Sequence, residues 1–190
     1  DKSLQLLDAD KVLHATFNPT GDKVAFVKNN NLYIDDLING GLIAVTTDGK
    51  KNHIINGNCD WVYEEEFEFT RAFQWSPDGR HIAYYRFDES TVKDYTLYFY
   101  ETASNYPRSY TYKYPKAGED NSVVQIKLYD TRSMVTQVAD IGKETDQYIP
   151  RIKWMGRGEN LCIYRLNRHQ NKLELLQTSA ATGHSRVIYT

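Results

Sequence analysis

The sequence has few cysteines, no strong charge bias and no long apolar run, and each absence excludes a class of protein. Of its 190 residues only Cys59 and Cys162 are cysteines, so a disulfide framework cannot hold the chain together. They could pair once, but we favour two buried free thiols. The net charge is −2 and basic residues are dispersed, which argues against nucleic acid as a partner. No apolar run approaches the roughly 20 residues that span a bilayer.

Several motifs are also missing. There is no Asn-x-Ser/Thr sequon and no Gly-x-Ser-x-Gly nucleophile motif. The 5 histidines are scattered without ligand spacing, so we interpret each as a surface or capping residue and predict no metal or cofactor. The chain starts at Asp1 without an initiator Met or an apolar leader. We therefore expect a mature or excised piece of a longer protein.

Aromatic residues and an internal repeat favour β structure. The chain has 15 Tyr, 7 Phe and 3 Trp, residue types that are enriched in strands. An aromatic residue, a tight turn with glycine and an apolar run recur at residues 16–27, at 74–85 and more weakly at 153–164. Each copy is typical of a β-hairpin.

The spacing of these hairpins predicts an all-β fold with about three four-stranded antiparallel blades of a β-propeller. We place the blades approximately at residues 1–57, 58–135 and 136–190. Three blades without a closing strand suggest an arc cut from a larger ring. A β-sandwich with repeated hairpins is the alternative.

An acidic segment, residues 60–67, lies between the first two hairpins and reads Asp-Trp-Val-Tyr-Glu-Glu-Glu-Phe. A run of three glutamates is usually a solvated surface. Here Trp61, Tyr63, Phe67 and Phe69 would fix the segment against a core, which would hold the carboxylates in place. Fixed carboxylates form a cation site, and an ammonium group fits better than calcium, which takes six to eight oxygen ligands.

This segment closely resembles the double-glutamate motif of the dipeptidyl peptidase IV family of serine peptidases. Residues 75–79 (Trp-Ser-Pro-Asp-Gly), 106–107 (Tyr-Pro) and 114–118 (Tyr-Pro-Lys-Ala-Gly), with Asn121 soon after, are similar to the same family. The resemblance covers most of the chain, from about Phe17 to Tyr129, and continues more weakly to the end. The missing sequons favour a bacterial member.

The resemblance implies an eight-bladed propeller stacked on an α/β-hydrolase domain that lies outside this chain. Family members release N-terminal Xaa-Pro or Xaa-Ala dipeptides from peptides with a free N-terminus. Glu65 and Glu66 match the two glutamates that bind the substrate α-amine, on a short helical segment. We expect Glu64 to turn toward a structural partner. No residue of this chain is assigned a catalytic role, and the isolated chain should be inactive. A periplasmic, cell-surface or secreted location is implied by the family alone.

Residues 91–120 stretch the second repeat interval. Tyr95, Leu97 and Phe99, and later Tyr110, Tyr112 and Tyr114, alternate with polar neighbours, which predicts a projecting hairpin arm. Its aromatic residues could pack back on their own blade or form a subunit contact. The resemblance favours the contact, because the corresponding arm of the family takes part in homodimers.

Three functions remain open from the sequence. The first is the substrate-recognition propeller of a serine dipeptidyl peptidase. The second is a non-catalytic propeller that serves as a protein- or peptide-binding scaffold. The third is a calcium-binding β domain that uses residues 64–66.

Overall fold

Three antiparallel sheets follow one another along the chain in the computed structural model, which describes residues 10–102 and 104–190. The first sheet has the order β1-β2-β3-β4. Its strands are β1 (Leu13–Phe17), β2 (Lys23–Lys28), β3 (Asn31–Asp36) and β4 (Leu42–Ala44). The expected first blade includes residues 1–9, which lie outside the described part.

The second sheet has five strands in the order β11-β10-β7-β5, with β6 also paired to β7. Its strands are β5 (Ile54–Asn56), β6 (Phe73–Trp75), β7 (His81–Asp88), β10 (Val123–Asp130) and β11 (Val135–Val138). The third sheet has the order β12-β13-β14-β15. Its strands are β12 (Gln147–Met155), β13 (Asn160–Asn167), β14 (Leu173–Ser179) and β15 (Ser185–Tyr189).

A separate two-stranded hairpin, β8 (Asp94–Phe99) with β9 (Arg108–Lys113), forms the arm. Tyr95 pairs with Tyr112 and Leu97 with Tyr110, as the alternation predicts. Ala103, in the expected loop between the two strands, lies outside the described residues. The described segments thus form an all-β partial propeller with a projecting arm, and the fold prediction is confirmed.

The repeated turns share one backbone hydrogen bond in all three copies. The N–H of the repeat glycine donates to the carbonyl three residues earlier, at 3.0 Å for Gly21, 2.8 Å for Gly79 and 3.2 Å for Gly158. Gly21 and Gly79 have φ values of +73° and +70°, a region in which side chains with a Cβ are strained. Glycine is therefore favoured at this position of the first two turns.

The repeat tryptophans connect neighbouring sheets. The indole N–H of Trp75 donates to the carbonyl of Thr16 in β1, and that of Trp154 donates to the carbonyl of Gln74 in β6, both at 3.2 Å. Each tryptophan thus contacts the residue just before the repeat aromatic of the preceding sheet. Two apolar cores fill the spaces between the sheets, one around Leu32 and Ile82 and the other around the residues of the second and third sheets.

The second sheet differs from the expected blade boundaries. β5 and β6 pair with opposite ends of β7 along one edge, and the acidic segment is inserted between them. The expected boundary at 57/58 therefore falls inside the interrupted edge strand of the second sheet, and this sheet continues past residue 135 to Val138. A three-residue strand that pairs with residues about 30 positions later cannot be predicted from a local sequence pattern.

The burial of the two cysteines confirms one prediction, and the burial of His81 corrects another. Cys59 and Cys162 are buried and free, as predicted, and burial raises the pKa of the Cys59 thiol to about 12. The sequence predicted a surface or capping role for His81, and its burial shows that the surface role is wrong. Burial lowers the pKa of His81 despite the nearby Asp130 carboxylate.

Candidate functional site: a fixed helix with exposed glutamates

A short helix of about two turns, α1 (Trp61–Phe67), carries the three glutamates. Asp60 caps its N-terminus, because the Oδ1 of Asp60 accepts the backbone N–H of Tyr63 at 3.0 Å. The hydroxyl of Ser122 donates to the other oxygen of Asp60 at 2.6 Å. The helix ends at Phe67, and its C-cap residue Glu68 has the left-handed conformation. A seven-residue helix is not stable by itself, so tertiary contacts must hold it.

Tyr63 provides the deepest of these contacts. Its ring is fully buried and lies 5.0 Å from the ring of Phe67 and 4.9 Å from that of Phe87. Its hydroxyl oxygen accepts the backbone N–H of Ile149 in β12 at 2.8 Å. Tyr63 thus joins the helix to the third sheet through both apolar packing and a buried hydrogen bond.

Aromatic contacts hold the helix from other directions. The ring of Trp61 lies 4.2 Å from that of Tyr114, just after the arm. Phe67 packs on Tyr148 at 5.6 Å. The ring of Phe69 lies 5.8 Å from Tyr63. The prediction that these aromatic residues fix the acidic segment against a core is confirmed.

The three glutamates themselves are exposed. Within the described ranges, Glu64, Glu65 and Glu66 make no ion pair and no side-chain hydrogen bond. Successive helical positions are about 100° apart, so the carboxylates of Glu65 and Glu66 leave neighbouring faces of the helix. The structural partner expected for Glu64 is not found among the described residues, and that expectation stays a prediction.

Glu66 lines a cavity of about 420 Å³ between α1, the segment after the arm and the third sheet. Trp61, Tyr114 and Tyr148 form aromatic walls, and Lys116 and Arg168 add positive charge. Arg168 is held by the Glu119 carbonyl at 2.9 Å and by Asp146 at 3.4 Å.

Glu65 is absent from the lining of this cavity. Its charge is among the causes that raise the pKa of Tyr112, after burial and the neighbouring tyrosines. Glu66 thus lines the cavity, whereas the charge of Glu65 acts on Tyr112 of the arm.

Two more carboxyl groups lie behind the helix and are buried. Burial raises the pKa of Asp60 in spite of its hydrogen bonds from Ser122 and the Tyr63 N–H. Burial, with a contribution from the Asp60 charge, raises the pKa of Glu89 to about 7. Asp60 supports the helix as its N-cap, and neither group lines the cavity beside Glu66.

Sequence reasoning missed the residues that reach the site from far along the chain. Tyr148 and Arg168 come from β12 and from the turn after β13, about 80 and 100 residues after α1, and no local pattern marks them. Asp60 could have been recognised from the sequence as the N-cap of α1, since aspartate is a common N-cap before a short helical run.

Among the described residues, no group of three or more His, Cys, Asp and Glu side chains could hold a metal ion. No helix of residues 10–102 and 104–190 is long and apolar enough to cross a membrane.

Comparisons with known proteins agree with the motif. The family described as "Dipeptidyl peptidase IV (DPP IV) N-terminal region" matches residues 2–190. The chain is 34% identical to the Probable dipeptidyl-aminopeptidase B of Pyrenophora tritici-repentis, over 91% of this chain and 21% of that protein. It is 38% identical to the protein of the same name in Arthroderma benhamiae, over 98% of this chain and 22% of that protein.

A solved structure is also similar. The crystal structure of Porphyromonas gingivalis dipeptidyl peptidase 4 superposes with a TM-score of 0.90 at 40% identity. The match covers 96% of this chain and 26% of that chain. The chain therefore spans about a fifth of the length of the curated relatives, and about a quarter of the solved one. Since the family match covers nearly every residue, the chain belongs to the N-terminal propeller region of the dipeptidyl peptidase IV family.

Proposed function

We propose that this chain is the substrate-recognition part of a serine exopeptidase, in which Glu65 and Glu66 bind the protonated α-amine of a peptide. The longer protein would release N-terminal Xaa-Pro or Xaa-Ala dipeptides. The observation that carries the proposal is a pair of adjacent, exposed carboxylates without partners among the described residues, on a helix fixed by Tyr63, Trp61 and Phe67.

A peptide amine suits such a pair. Its reference pKa is about 7.7 to 8.0, so it is largely protonated at neutral pH and offers several N–H donors. Glu65 and Glu66 repel each other until a cation lies between them, and each charge-assisted hydrogen bond contributes about 1.5 to 3 kcal/mol. Calcium would need more oxygen ligands than these glutamates supply.

The amine site would also set the length of the released product. If the α-amine is held at Glu65 and Glu66, the second peptide bond lies at a fixed distance from the helix. A rigid helix is needed for this role, because a loose one would allow several cleavage positions. The contacts of Tyr63 and Trp61 supply that rigidity.

The reaction itself requires a nucleophile from outside the chain. None of the serines here lies in a Gly-x-Ser-x-Gly motif, which positions the nucleophile in α/β-hydrolase folds. We therefore propose that an α/β-hydrolase domain of the same protein supplies the catalytic residues. The isolated chain should not cleave chromogenic Xaa-Pro substrates.

The proposal is tested in the full-length enzyme with Glu65→Gln and Glu66→Gln. Each variant should lower kcat/KM on an Xaa-Pro chromogenic substrate by about tenfold or more, since 1.4 kcal/mol is a factor of ten. Glu64→Gln is the matched control, with the same change on the same exposed helix, and should stay within about twofold of wild type. If both test variants keep the wild-type kcat/KM, Glu65 and Glu66 do not bind the substrate amine, and the run of glutamates is a solvated surface.

The arm is proposed as a homodimer contact. Tyr98 is 62% exposed, Tyr100 84% and Tyr106 83%, so the described chain does not cover them. Large aromatic residues that a monomer leaves exposed are typical of interface cores. A second copy of the arm would bury them.

A further inference from the structure

A second cavity is separate from the one beside Glu66, and its charged lining is entirely cationic. It measures about 470 Å³ and opens along the edge strands β1, β6 and β12, one from each sheet. It shares no lining residue with the cavity beside Glu66. Its polar and charged lining includes His14, Thr16, Arg71, Gln74, Arg151 and Lys153.

No carboxylate lines this cavity, although three cations do. Arg71, Arg151 and Lys153 form no ion pair with any residue of the described ranges. Most other arginines of the three sheets do have carboxylate partners. These are Arg80 with Asp130, Arg86 with Asp48, Arg165 with Glu174 and Arg168 with Asp146.

The two guanidinium groups are nevertheless held in place. Nη1 of Arg71 donates to the hydroxyl of Thr16 at 3.2 Å, and its Cζ lies 5.9 Å from the ring centre of Phe73. Nη1 of Arg151 donates to the carbonyl of Pro150 at 2.6 Å, and its Cζ lies 5.5 Å from the Phe69 ring. Each group keeps further N–H donors, which suit a carboxylate.

The same stretch of chain thus links the glutamates of α1 to the cationic cavity. Glu66 faces one cavity, and Phe69 and Arg71, a few residues later, face the other. We propose that the cationic cavity binds a carboxylate of the peptide substrate beyond the cleaved bond, so that the enzyme prefers peptides with negative charge after the released dipeptide. This inference rests on the proposed function, because it requires the peptide to be held at Glu65 and Glu66.

The test uses the full-length enzyme and peptides that begin Gly-Pro. Two of the peptide series have an amidated C-terminus. One carries a pair of Glu residues and the other a pair of Gln residues, and in each series the pair begins at the second, fourth or sixth residue after the scissile bond. A third series has neutral side chains and a free C-terminal carboxylate. The two anionic series distinguish an acidic side chain from a terminal carboxylate as the group that binds.

Wild-type enzyme at low salt should cleave one anionic series with a kcat/KM at least fivefold above the neutral one, at one or more spacings. Arg71→Gln and Arg151→Gln should reduce this ratio toward 1, Arg151→Lys should keep part of it, and Arg151→Glu should invert it. Arg132→Gln removes the same charge from an exposed turn outside the cavity and should leave the ratio unchanged. Raising the salt concentration should shrink the wild-type ratio.

A ratio near 1 at every spacing in wild type would overturn the inference, as would an undiminished ratio in both Gln variants. These results would not contradict the proposed amine site, because Glu65→Gln and Glu66→Gln would still impair cleavage of the neutral series. If no series is cleaved, or if those two variants behave as wild type, the proposed function fails and this inference fails with it.

Discussion

The hydrogen bond between Tyr63 and Ile149 allows a quantitative test of how the helix is held. Tyr63→Phe removes one oxygen atom and keeps the ring that packs on Phe67 and Phe87. The backbone N–H of Ile149 then loses its acceptor in a place where Ile149 is 0% exposed. Leaving a buried donor unsatisfied costs about 1 to 3 kcal/mol.

Amide hydrogen exchange measures this cost without unfolding the whole protein. The exchange of the Ile149 amide in the full-length protein should accelerate by about 5-fold to 150-fold, which corresponds to a loss of about 1 to 3 kcal/mol in the free energy of local opening. The measurement requires a peptide fragment, or a resolved resonance, that reports residue 149.

Tyr85→Phe is the matched control. Tyr85 is buried in the same aromatic cluster, with its ring 6.1 Å from that of Tyr63, and its hydroxyl makes no hydrogen bond within the described ranges. The same chemical change should therefore leave the exchange of Ile149 within about twofold of wild type. Equal exchange rates in the two variants would refute the claim that this bond ties α1 to the third sheet.

Three further predictions concern the buried carboxyl, the contacts between sheets and the arm. The folded-state pKa of Glu89, about 7, lies above its unfolded value of about 4.5, so the Glu89 contribution to stability is lost as pH rises between these values. Glu89→Gln should accordingly raise the Tm relative to wild type more at pH 8 than at pH 5, and a pH-independent difference would contradict this. Trp154→Phe removes the indole donor to Gln74 and should accelerate amide exchange in β6, whereas Trp61→Phe, whose indole lies elsewhere, should not. Deleting residues 98–112 should convert a dimer of the full-length protein to a monomer in light scattering, and an unchanged dimer would remove the proposed role of the arm.

The sequence predicts those parts of the fold that depend on local residue patterns. The turn glycines Gly21 and Gly79, each four residues after an aromatic residue, correctly predict the hairpins. The alternating tyrosines correctly predict the arm. The interrupted edge strand was missed, since Ile54–Asn56 acquires its partner in β7 only through the tertiary fold.

The candidate site also has some residues that the sequence predicts and others that only the folded structure shows. The segment of residues 60–67 indicates both the glutamates and the aromatic residues that fix them. Tyr148 and Arg168 complete the cavity from the third sheet, and their approach depends on how the sheets are arranged around the core. The unpaired cations of the second cavity were also invisible, because whether Arg71 and Arg151 have carboxylate partners is a property of the folded chain.

The central claim, that Glu65 and Glu66 bind a peptide amine, is tested most directly by comparing two inhibitors. A product dipeptide Xaa-Pro and its analogue with hydrogen in place of the α-amine are measured as competitive inhibitors of the full-length wild-type enzyme, Glu65→Gln, Glu66→Gln and the Glu64→Gln control. We expect wild type and the control to bind the amine form at least tenfold more tightly than the analogue, and this preference to fall by about tenfold or more in the two test variants. An amine preference that is the same in all four proteins would contradict the account.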